Sequence, residues 1–224
     1  MNQLSLKKNW NAVFKTKTWG EYPAEDLVRF IKKEKFFFKK KQFKILEIGC
    51  GAGGNLWFFG KEKILFDALD ISSVATNRVK QLFVKKYKNL NKFKNKIVNC
   101  NALNMPSTLN NYDIVIDSES LCYCSEVDFK KILKKIYKKL NTNGCFWSRI
   151  FSFKTSGCRT GKNISKNFWI PNYGPLKGYG PTRTLKFNEV KKIYGNGWKS
   201  LKISELIRKQ DKVTVHELII EARK

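Results

Sequence analysis

The residues best suited to chemistry in this sequence form a short glycine-rich segment that begins with a carboxylate. Glu47 precedes Gly49, Gly51 and Gly53 in the run EIGCGAGG, which follows the apolar stretch FKIL. Glycines at this spacing let the backbone turn tightly from a strand into a helix and come close to a ligand. The run fits both E-x-G-x-G-x-G and G-x-G-x-x-G, so the glycine spacing alone leaves two kinds of cofactor open.

Two carboxylates beside the glycines favour one of these cofactors. A dinucleotide site seats a pyrophosphate at the helix N-terminus and gains nothing from Glu47, two residues before the first glycine. Asp70 ends the next apolar run, LFDALD, and its carboxylate can accept hydrogen bonds from a ribose. A nucleoside cofactor with a cationic amino acid and no phosphate therefore suits the sequence better than NAD, which stays open as an alternative.

These residues resemble two motifs of the class I S-adenosylmethionine (SAM)-dependent methyltransferases, in particular the small-molecule bacterial type. ILEIGCGAGGN matches the first motif and LDIS the second, and the resemblance covers about residues 20–223. It implies a methyltransferase whose cofactor is SAM, with a non-catalytic SAM-binding protein as the alternative. The family often has an aspartate where this sequence has Asn101, which can still hydrogen-bond the adenine. The implied cofactor-binding residues are Trp19, Glu47, Gly49, Cys50, Gly51, Gly53, Asp70, Ile71, Asn101, Ala102, Leu103 and Asp117.

Few side chains could act as a base in methyl transfer. A hydroxyl acceptor benefits from a carboxylate or a histidine within hydrogen-bond reach, whereas an anionic oxygen needs none. In the family that the sequence resembles, the loop after the fourth strand lines the methionine end of the cofactor, which makes Glu119 and Tyr123 candidates. His216, the single histidine, is the third. The alternatives are that the two loop residues meet only water and that His216 is an ordinary strand residue.

Residues 154–183 have no clear period, and we expect an irregular insertion that binds the substrate or closes over it as a lid. Arg159 and Arg183 stand there among aromatic residues, so they could clamp a phosphorylated or nucleotide-linked metabolite or hold a flipped RNA base. Tyr22 is a third substrate candidate, because W-G-x-Y-P resembles an N-terminal segment of bacterial small-molecule methyltransferases. No N-P-P-Y or D-P-P-Y tetrapeptide follows the fourth strand. The expected acceptor is therefore a small anionic or nucleotide- or sugar-linked metabolite, with rRNA or tRNA as the alternative.

These residues need a scaffold that brings strand ends together. Apolar runs alternate with amphipathic stretches between residues 43 and 153, which indicates stacked βα units. The predicted fold class is α/β: a Rossmann-like, seven-stranded, mostly parallel sheet with a terminal antiparallel hairpin and helices on both faces. Residues 1–224 are expected to form one methyltransferase domain, with an N-terminal cap segment and helix at 1–36 and the insertion at 154–183. Strands are predicted at 43–48, 65–70, 96–100, 113–117 and 145–153, the hairpin at 199–207 and 212–221, and helices at 23–36, 55–61, 72–88, 125–140 and 187–194.

The composition bears on partners and location. The 224 residues include 45 Lys and Arg against 18 Asp and Glu, a formal charge of +27 that attracts polyanions. Lysines outnumber arginines 38 to 7, however, which an AT-rich genome produces by drift and which suits base-specific readout poorly. No run is long and apolar enough for a membrane span and residues 1–11 lack a signal-peptide core, so we expect a cytoplasmic protein. The six cysteines show no C-x-x-C spacing, so no metal site is expected.

Overall fold

The computed structural model describes residues 3–17, 20–38, 43–87 and 95–224. The predicted cofactor residue Trp19 lies outside these residues. The chain divides into two compact units, Met1–Ile114 and Val115–Lys224. None of the described helices combines the length and the apolar character that crossing a bilayer requires.

In the first unit, two helices precede an alternation of strands and helices. The elements are α1 (Gln3–Thr16), α2 (Glu25–Phe38), β1 (Lys44–Ile48), α3 (Gly54–Lys61), β2 (Leu65–Asp70), α4 (Ser73–Tyr87) and β3 (Ile97–Asn99). β1 pairs in parallel with β2, and β2 pairs in parallel with β3. Since parallel strands have their carboxyl ends at one edge of a sheet, the residues after Ile48, Asp70 and Asn99 come together there.

The second unit carries the terminal hairpin and a small additional sheet. Its elements are β4 (Tyr112–Ser118), which begins in the first unit, α5 (Glu126–Lys139), β5 (Leu140–Phe151), β6 (Lys162–Ser165), β7 (Phe168–Ile170), β8 (Thr182–Arg183), α6 (Phe187–Tyr194), β9 (Ser200–Gln210) and β10 (Val213–Arg223). β10 pairs antiparallel with both β5 and β9. Within the described residues the large sheet has seven strands in the order β3-β2-β1-β4-β5-β10-β9, which confirms the predicted fold class.

Helix α5 shows how closely local sequence fixes an element. The Ser125 hydroxyl accepts a hydrogen bond from the backbone N–H of Asp128 at 3.1 Å, which caps the helix as the S-x-x-D pattern predicts. Phe129, Ile132, Leu133 and Ile136 are buried, and the lysines between them are mostly exposed. The apolar stripe on one face therefore anchors the helix, and the lysines form its solvated face.

Three features differ from the sequence-based expectation. The pattern does not predict α1, because lysine and asparagine residues interrupt its apolar positions. β5 begins at Leu140, although Asn143 has the positive φ of 62° that suits the turn predicted at 141–144. The insertion is not wholly irregular: β6, β7 and β8 form an antiparallel sheet whose strands are too short to show an alternating pattern.

Candidate functional site

The glycine turn is bound to the end of β2 by its backbone. The N–H groups of Gly49 and Cys50 both donate to the carbonyl of Leu69, at 2.7 and 3.1 Å. Gly49, Gly51 and Gly53 have φ values of 69°, 52° and 91°, in the left-handed region that glycine adopts without strain. The glycines are therefore required by the path of the backbone as well as by the space that a ligand needs.

Asp70 is placed to receive hydrogen-bond donors at this turn. Its Oδ2 accepts from the N–H of Gly51 at 2.9 Å and its Oδ1 from the N–H of Ser72 at 2.7 Å. Burial raises the pKa of the carboxyl to about 6, against the lowering effect of the two N–H groups. Each oxygen keeps capacity for one further hydrogen bond, so the carboxylate can hold the two hydroxyls of a ribose.

Glu47 supplies a second negative charge beside the turn. It is 1% exposed, and its Oε1 accepts from Nδ2 of Asn55 at 2.7 Å. The Oδ1 of Asn55 in turn accepts from the N–H of Ala24 at 3.4 Å, which ties the segment before α2 to α3. Cys50 lies beside both carboxylates, and burial first, then Asp70 and Glu47, raise the pKa of its thiol. The local charge suits a cationic group of a cofactor and keeps the thiol neutral.

The segment containing Tyr22 lies on the first turn of α3. A Cβ added at Gly54 would lie 2.9 Å from the carbonyl oxygen of Tyr22 and 3.2 Å from that of Gly20. The Tyr22 ring is 80% exposed and meets Trp57 edge-on, with 5.7 Å between the ring centroids. The structure thus brings Tyr22 close to the glycine turn, and its contact with a substrate stays a prediction.

Helix α1 contributes residues to this edge that sequence reasoning missed. The Oδ1 of Asn11 accepts from the Ser72 hydroxyl at 2.8 Å and lies 3.5 Å from the Val74 nitrogen. Phe14 is buried, and its ring lies 3.3 Å from where a Cβ on Gly51 would stand. α1 therefore contacts Gly51 and Ser72, the two residues whose N–H groups donate to Asp70. The sequence signal for this contribution was weak: it consisted of an amide residue and an apolar residue three positions apart, Asn11 and Phe14.

The end of β3 is held against the end of β2. Nδ2 of Asn99 donates to the carbonyl oxygens of Asp70 and Ile71, both at 3.0 Å. The Oδ1 of Asn101 accepts from the N–H of Leu103 at 2.8 Å and caps a single turn of 3₁₀ helix that starts at Ala102. The predicted adenine-contacting residues are thus brought to the same edge as Asp70, with the Asn101 side chain oriented by its own backbone.

In the second unit, Asp117 organises the loop that follows β4. Its Oδ1 accepts from the N–H groups of Ser120 and Leu121 at 2.9 and 2.8 Å, and its Oδ2 from the Ser148 hydroxyl at 2.8 Å. The Tyr194 hydroxyl donates to Ser148 at 2.8 Å and extends the network. Burial raises the pKa of Asp117 to about 6. These hydrogen bonds show that Asp117 holds the loop in place, and its role in binding the cofactor stays a prediction.

Glu119 and Tyr123, the predicted catalytic pair, lie in this loop. Glu119 has a φ of 60°, its N–H donates to the Arg149 carbonyl at 2.9 Å, and its Oε1 lies 2.5 Å from Nη2 of Arg149. Tyr123 packs against an apolar cluster formed by Cys122, Phe151, Cys158 and Leu176. Burial, followed by neighbouring groups that include Glu119 and Tyr179, raises the pKa of the Tyr123 phenol. The two candidates therefore share one environment, which the insertion helps to enclose.

The third catalytic candidate, His216, lies on β10. It is 1% exposed, and its Nε2 lies 3.3 Å from Oε1 of Glu205 on β9. Its backbone bonds to Ser152 and Thr155, at the start of the insertion. A catalytic role for His216 stays a prediction.

The two arginines predicted to bind substrate differ in environment. Arg183 is 2% exposed, donates to the carbonyl oxygens of Leu121 and Cys124 at 2.9 and 3.3 Å, and stacks 4.3 Å from the Phe129 ring centroid. Arg159 is exposed and donates to Oδ1 of Asn167 at 3.2 Å. Arg183 thus supports the loop after β4, whereas Arg159 is exposed, and the contact of either arginine with a substrate stays a prediction.

Sequence reasoning also missed three charged residues around Glu119. Ion pairs join them in a chain: Arg149 on β5 pairs with Glu119 and with Glu217 on β10, and Glu217 also pairs with Arg208 on β9. A signal was present in the strands CFWSRIF and TVHELII, since each buries a charged side chain in an otherwise apolar run. The sequence alone did not show that the pairing of β5, β10 and β9 brings these charges together.

Comparisons with known proteins agree with the fold and the turn. Residues 45–144 match a family model described as a methyltransferase domain. No curated protein sequence matches the chain. Among solved structures, the magnesium protoporphyrin IX methyltransferase from Synechocystis PCC 6803 with bound SAH superposes with a TM-score of 0.69 at 14% identity, covering 100% of both chains. The 1,6-didemethyltoxoflavin-N1-methyltransferase from Burkholderia thailandensis gives a TM-score of 0.64 at 14% identity, covering 99% of this chain and 84% of that one.

Proposed function

We propose that the chain is a class I SAM-dependent methyltransferase that transfers the methyl group to a small anionic acceptor, such as a nucleotide- or sugar-linked metabolite. Bound SAM supplies an electrophilic methyl group on a sulfonium. The reaction is an in-line displacement in which charge is neutralised, so orientation and exclusion of water provide much of the acceleration. The residues of the chain must therefore hold the cofactor, orient the acceptor and, for some acceptors, take up a proton.

The first unit offers hydrogen-bond acceptors that suit SAM. The Glu47 carboxylate would compensate the ammonium group of the methionine part, and Asp70 would accept from the ribose hydroxyls. Asn101 would orient the adenine, since its side chain is fixed at the end of β3. No phosphate is present in this cofactor, which agrees with a buried carboxylate at the position of Glu47.

The acceptor class rests on one observation in the second unit: two cationic side chains lie near a single aromatic ring. Cζ of Arg159 is 5.2 Å and Nζ of Lys186 is 5.5 Å from the centroid of Phe153. Phe153 packs on the same apolar cluster as Tyr123. An anionic group between the cations would place the rest of a small acceptor beside the predicted catalytic pair. Glu119 would take the proton of a hydroxyl acceptor, and an acceptor that is already anionic would need no base.

A labelling experiment tests this proposal. The purified protein is incubated with SAM carrying a tritiated methyl group and a cell extract, and the products are separated into small molecules, RNA and protein. We expect label in small molecules that an anion exchanger retains. Label in RNA or protein alone, or in small molecules that the exchanger does not retain, would contradict the proposed acceptor class.

Variants of the two cations make the experiment specific. Arg159→Gln and Lys186→Gln should raise the acceptor KM and leave the SAM affinity unchanged. Arg29→Gln is a matched control, because Arg29 is 79% exposed in an i,i+4 ion pair on α2 and such a pair contributes little. If the three variants behaved alike, the cations around Phe153 would have no part in binding the acceptor.

A further inference from the structure

The insertion at residues 154–183 carries cations and no acidic residue. It contains six Lys or Arg and no Asp or Glu, and the acid-free stretch extends from residue 129 to residue 188 with 14 Lys or Arg. An even distribution of the 18 acidic residues would place about five of them in this stretch. Codon drift adds lysines, but it does not remove aspartate and glutamate from one part of a chain. The missing acidic residues therefore indicate a surface that meets an anionic partner.

Three lysines of the insertion are open to such a partner. Lys162, Lys166 and Lys177 are exposed, and among the described residues no carboxylate lies within ion-pair distance of their ammonium groups. The charge of Glu189 on α6 interacts with Lys166, and Oε1 of Glu189 accepts from Nδ2 of Asn167 at 3.1 Å. The insertion therefore presents more positive charge than its neighbours compensate.

Large apolar side chains of the insertion also lie in solvent. Ile164 is 40% exposed, Ile170 36% and Tyr173 54%. All four residues of β6 are exposed, and β6 is an edge strand of the small sheet. Lys162 on β6 is paired with Ile170 on β7, so a cation and an isoleucine project from the same face of that sheet. Exposed apolar side chains beside cations are typical of an interaction surface.

Two glycines hold this surface in shape. Gly161 has a φ of 79°, and a Cβ added there would lie 2.3 Å from the carbonyl oxygen of Ile170. Gly157 has a φ of 73°, and a Cβ added there would lie 2.2 Å from the carbonyl oxygen of Tyr173. Only glycine lets two backbone segments approach this closely. Ile170 and Tyr173 therefore cannot withdraw from solvent unless these backbone contacts break.

We propose that the insertion binds the surface of an anionic lipid membrane, with Ile164, Ile170 and Tyr173 entering the headgroup layer. Lys162 and Lys166 would contact the lipid phosphates, and each lysine near an anionic bilayer strengthens binding through the surface potential. Apolar side chains that enter the interface add to this binding. A nucleic acid fits the surface less well, because isoleucine offers no ring for base stacking and the cations on and beside β6 are lysines rather than arginines.

Vesicle binding tests the proposal and needs neither SAM nor an acceptor. The whole chain is sedimented with sucrose-loaded vesicles of phosphatidylcholine alone and with vesicles of an equal mixture of phosphatidylcholine and phosphatidylglycerol. We expect binding to the mixed vesicles, which weakens as the salt concentration rises, and no binding to the neutral ones. Absence of binding to the mixed vesicles, or equal binding to both kinds, would overturn the proposal.

Charge variants locate the binding surface. Lys162→Gln combined with Lys166→Gln should weaken binding to the mixed vesicles on the order of tenfold, since two lysines leave the anionic surface. Lys162→Arg combined with Lys166→Arg keeps the charge and should bind as the wild type does. Lys209→Gln combined with Lys212→Gln removes the same charge at exposed positions beside the β9–β10 turn and should have a far smaller effect. An equal loss in the two glutamine double variants would show that total charge binds the vesicles, and would overturn the role of the insertion.

An apolar variant separates insertion into the interface from charge attraction. Ile164→Ser should weaken binding to the mixed vesicles about fivefold, because an apolar side chain no longer enters the headgroup layer. Ile207→Ser is the matched control, since Ile207 is 50% exposed on β9, and should bind as the wild type does. Equal binding by the two serine variants would contradict the placement of Ile164 in the membrane.

Two other occupants of the surface give different results. An RNA oligonucleotide bound by the wild type and lost in Lys162→Gln combined with Lys166→Gln, without vesicle binding, would make the insertion a nucleic-acid surface. Self-association that light scattering detects in the wild type and not in Ile164→Ser, again without vesicle binding, would mean that a second copy covers the surface. Either result would overturn the membrane proposal.

Discussion

The backbone N–H of Gly51 donates a 2.9 Å hydrogen bond to Oδ2 of Asp70, so the glycine turn and the end of the second strand form one structure. The other oxygen of Asp70 holds the N–H of Ser72, whose hydroxyl donates to Asn11 on α1. One buried carboxylate therefore connects the turn, the start of α4 and the N-terminal helix. A substitution in the glycine turn, at the start of α4 or in α1 should therefore change the cofactor affinity.

Replacing Asp70 by asparagine keeps its size and removes its charge. We expect the SAM affinity to fall by about 1 to 3 kcal/mol, because the ribose and two backbone N–H groups would compete for fewer acceptor sites. Isothermal titration calorimetry measures the loss. Asp211→Asn, in the β9–β10 turn at a φ of 52° that asparagine tolerates, is the control and should bind as the wild type does. Unchanged affinity in Asp70→Asn would remove this residue from the site.

The cofactor affinity should also depend on pH through Asp70. The raised pKa of about 6 means that the side chain is ionised above pH 7 and neutral below about pH 5, where it accepts fewer hydrogen bonds. SAM binding should therefore weaken as the pH falls through about 6, and Asp70→Asn should abolish this dependence. Asp117 has a similar pKa, so Asp117→Asn is measured in parallel. If the pH dependence disappeared in Asp117→Asn and persisted in Asp70→Asn, the titrating group would be Asp117, which would contradict this prediction.

Helix α1 should contribute to cofactor binding through Asn11. Asn11→Ala removes the acceptor of the Ser72 hydroxyl, and we expect SAM affinity to fall about fivefold, a typical effect of losing one hydrogen bond. Lys8→Ala, at an exposed position of the same helix, should have no effect. Equal affinities of the two variants would show that α1 covers the glycine turn without stabilising it.

The close approach of the Tyr22 segment to α3 gives a steric prediction. In Gly54→Ala the new methyl group would lie 2.9 Å from a backbone oxygen, so residues 20–22 must move away from the helix. We expect faster proteolysis of this segment and weaker SAM binding. Gly20→Ala has no atom within 4 Å of its new methyl group and is the matched control. Identical digestion of the two variants would contradict the observed packing.

Arg183 should matter for stability more than for direct contact with the acceptor. Arg183→Ala leaves two carbonyl oxygens without their donor and removes a buried charge near Asp117, so the free energy of unfolding should fall by about 2 to 4 kcal/mol. Urea denaturation measures this change. Arg159→Ala, on the same insertion but exposed, should change it by less than about 0.5 kcal/mol. Equal stabilities would mean that Arg183 is free to bind a ligand.

The predictable part of the site is the part encoded in contiguous residues. Glu47, the glycines and Asp70 could be found because each lies at the end of an apolar strand or directly after it, and the ends of parallel strands meet at one edge. The cluster of Glu119, Arg149 and Glu217 could not, because it depends on the antiparallel register of β5 and β10, which only the folded sheet establishes. The same limit applies to the insertion, whose strands of two to four residues carry no periodic signal.

The most direct measurement is a calorimetric titration of the protein with SAM, S-adenosylhomocysteine and NAD in parallel. A turn that combines Glu47 with Asp70 should bind the first two compounds and not NAD, because the buried Glu47 carboxylate has no place beside a pyrophosphate. Binding of NAD with no binding of SAM or S-adenosylhomocysteine would contradict the assignment of both carboxylates.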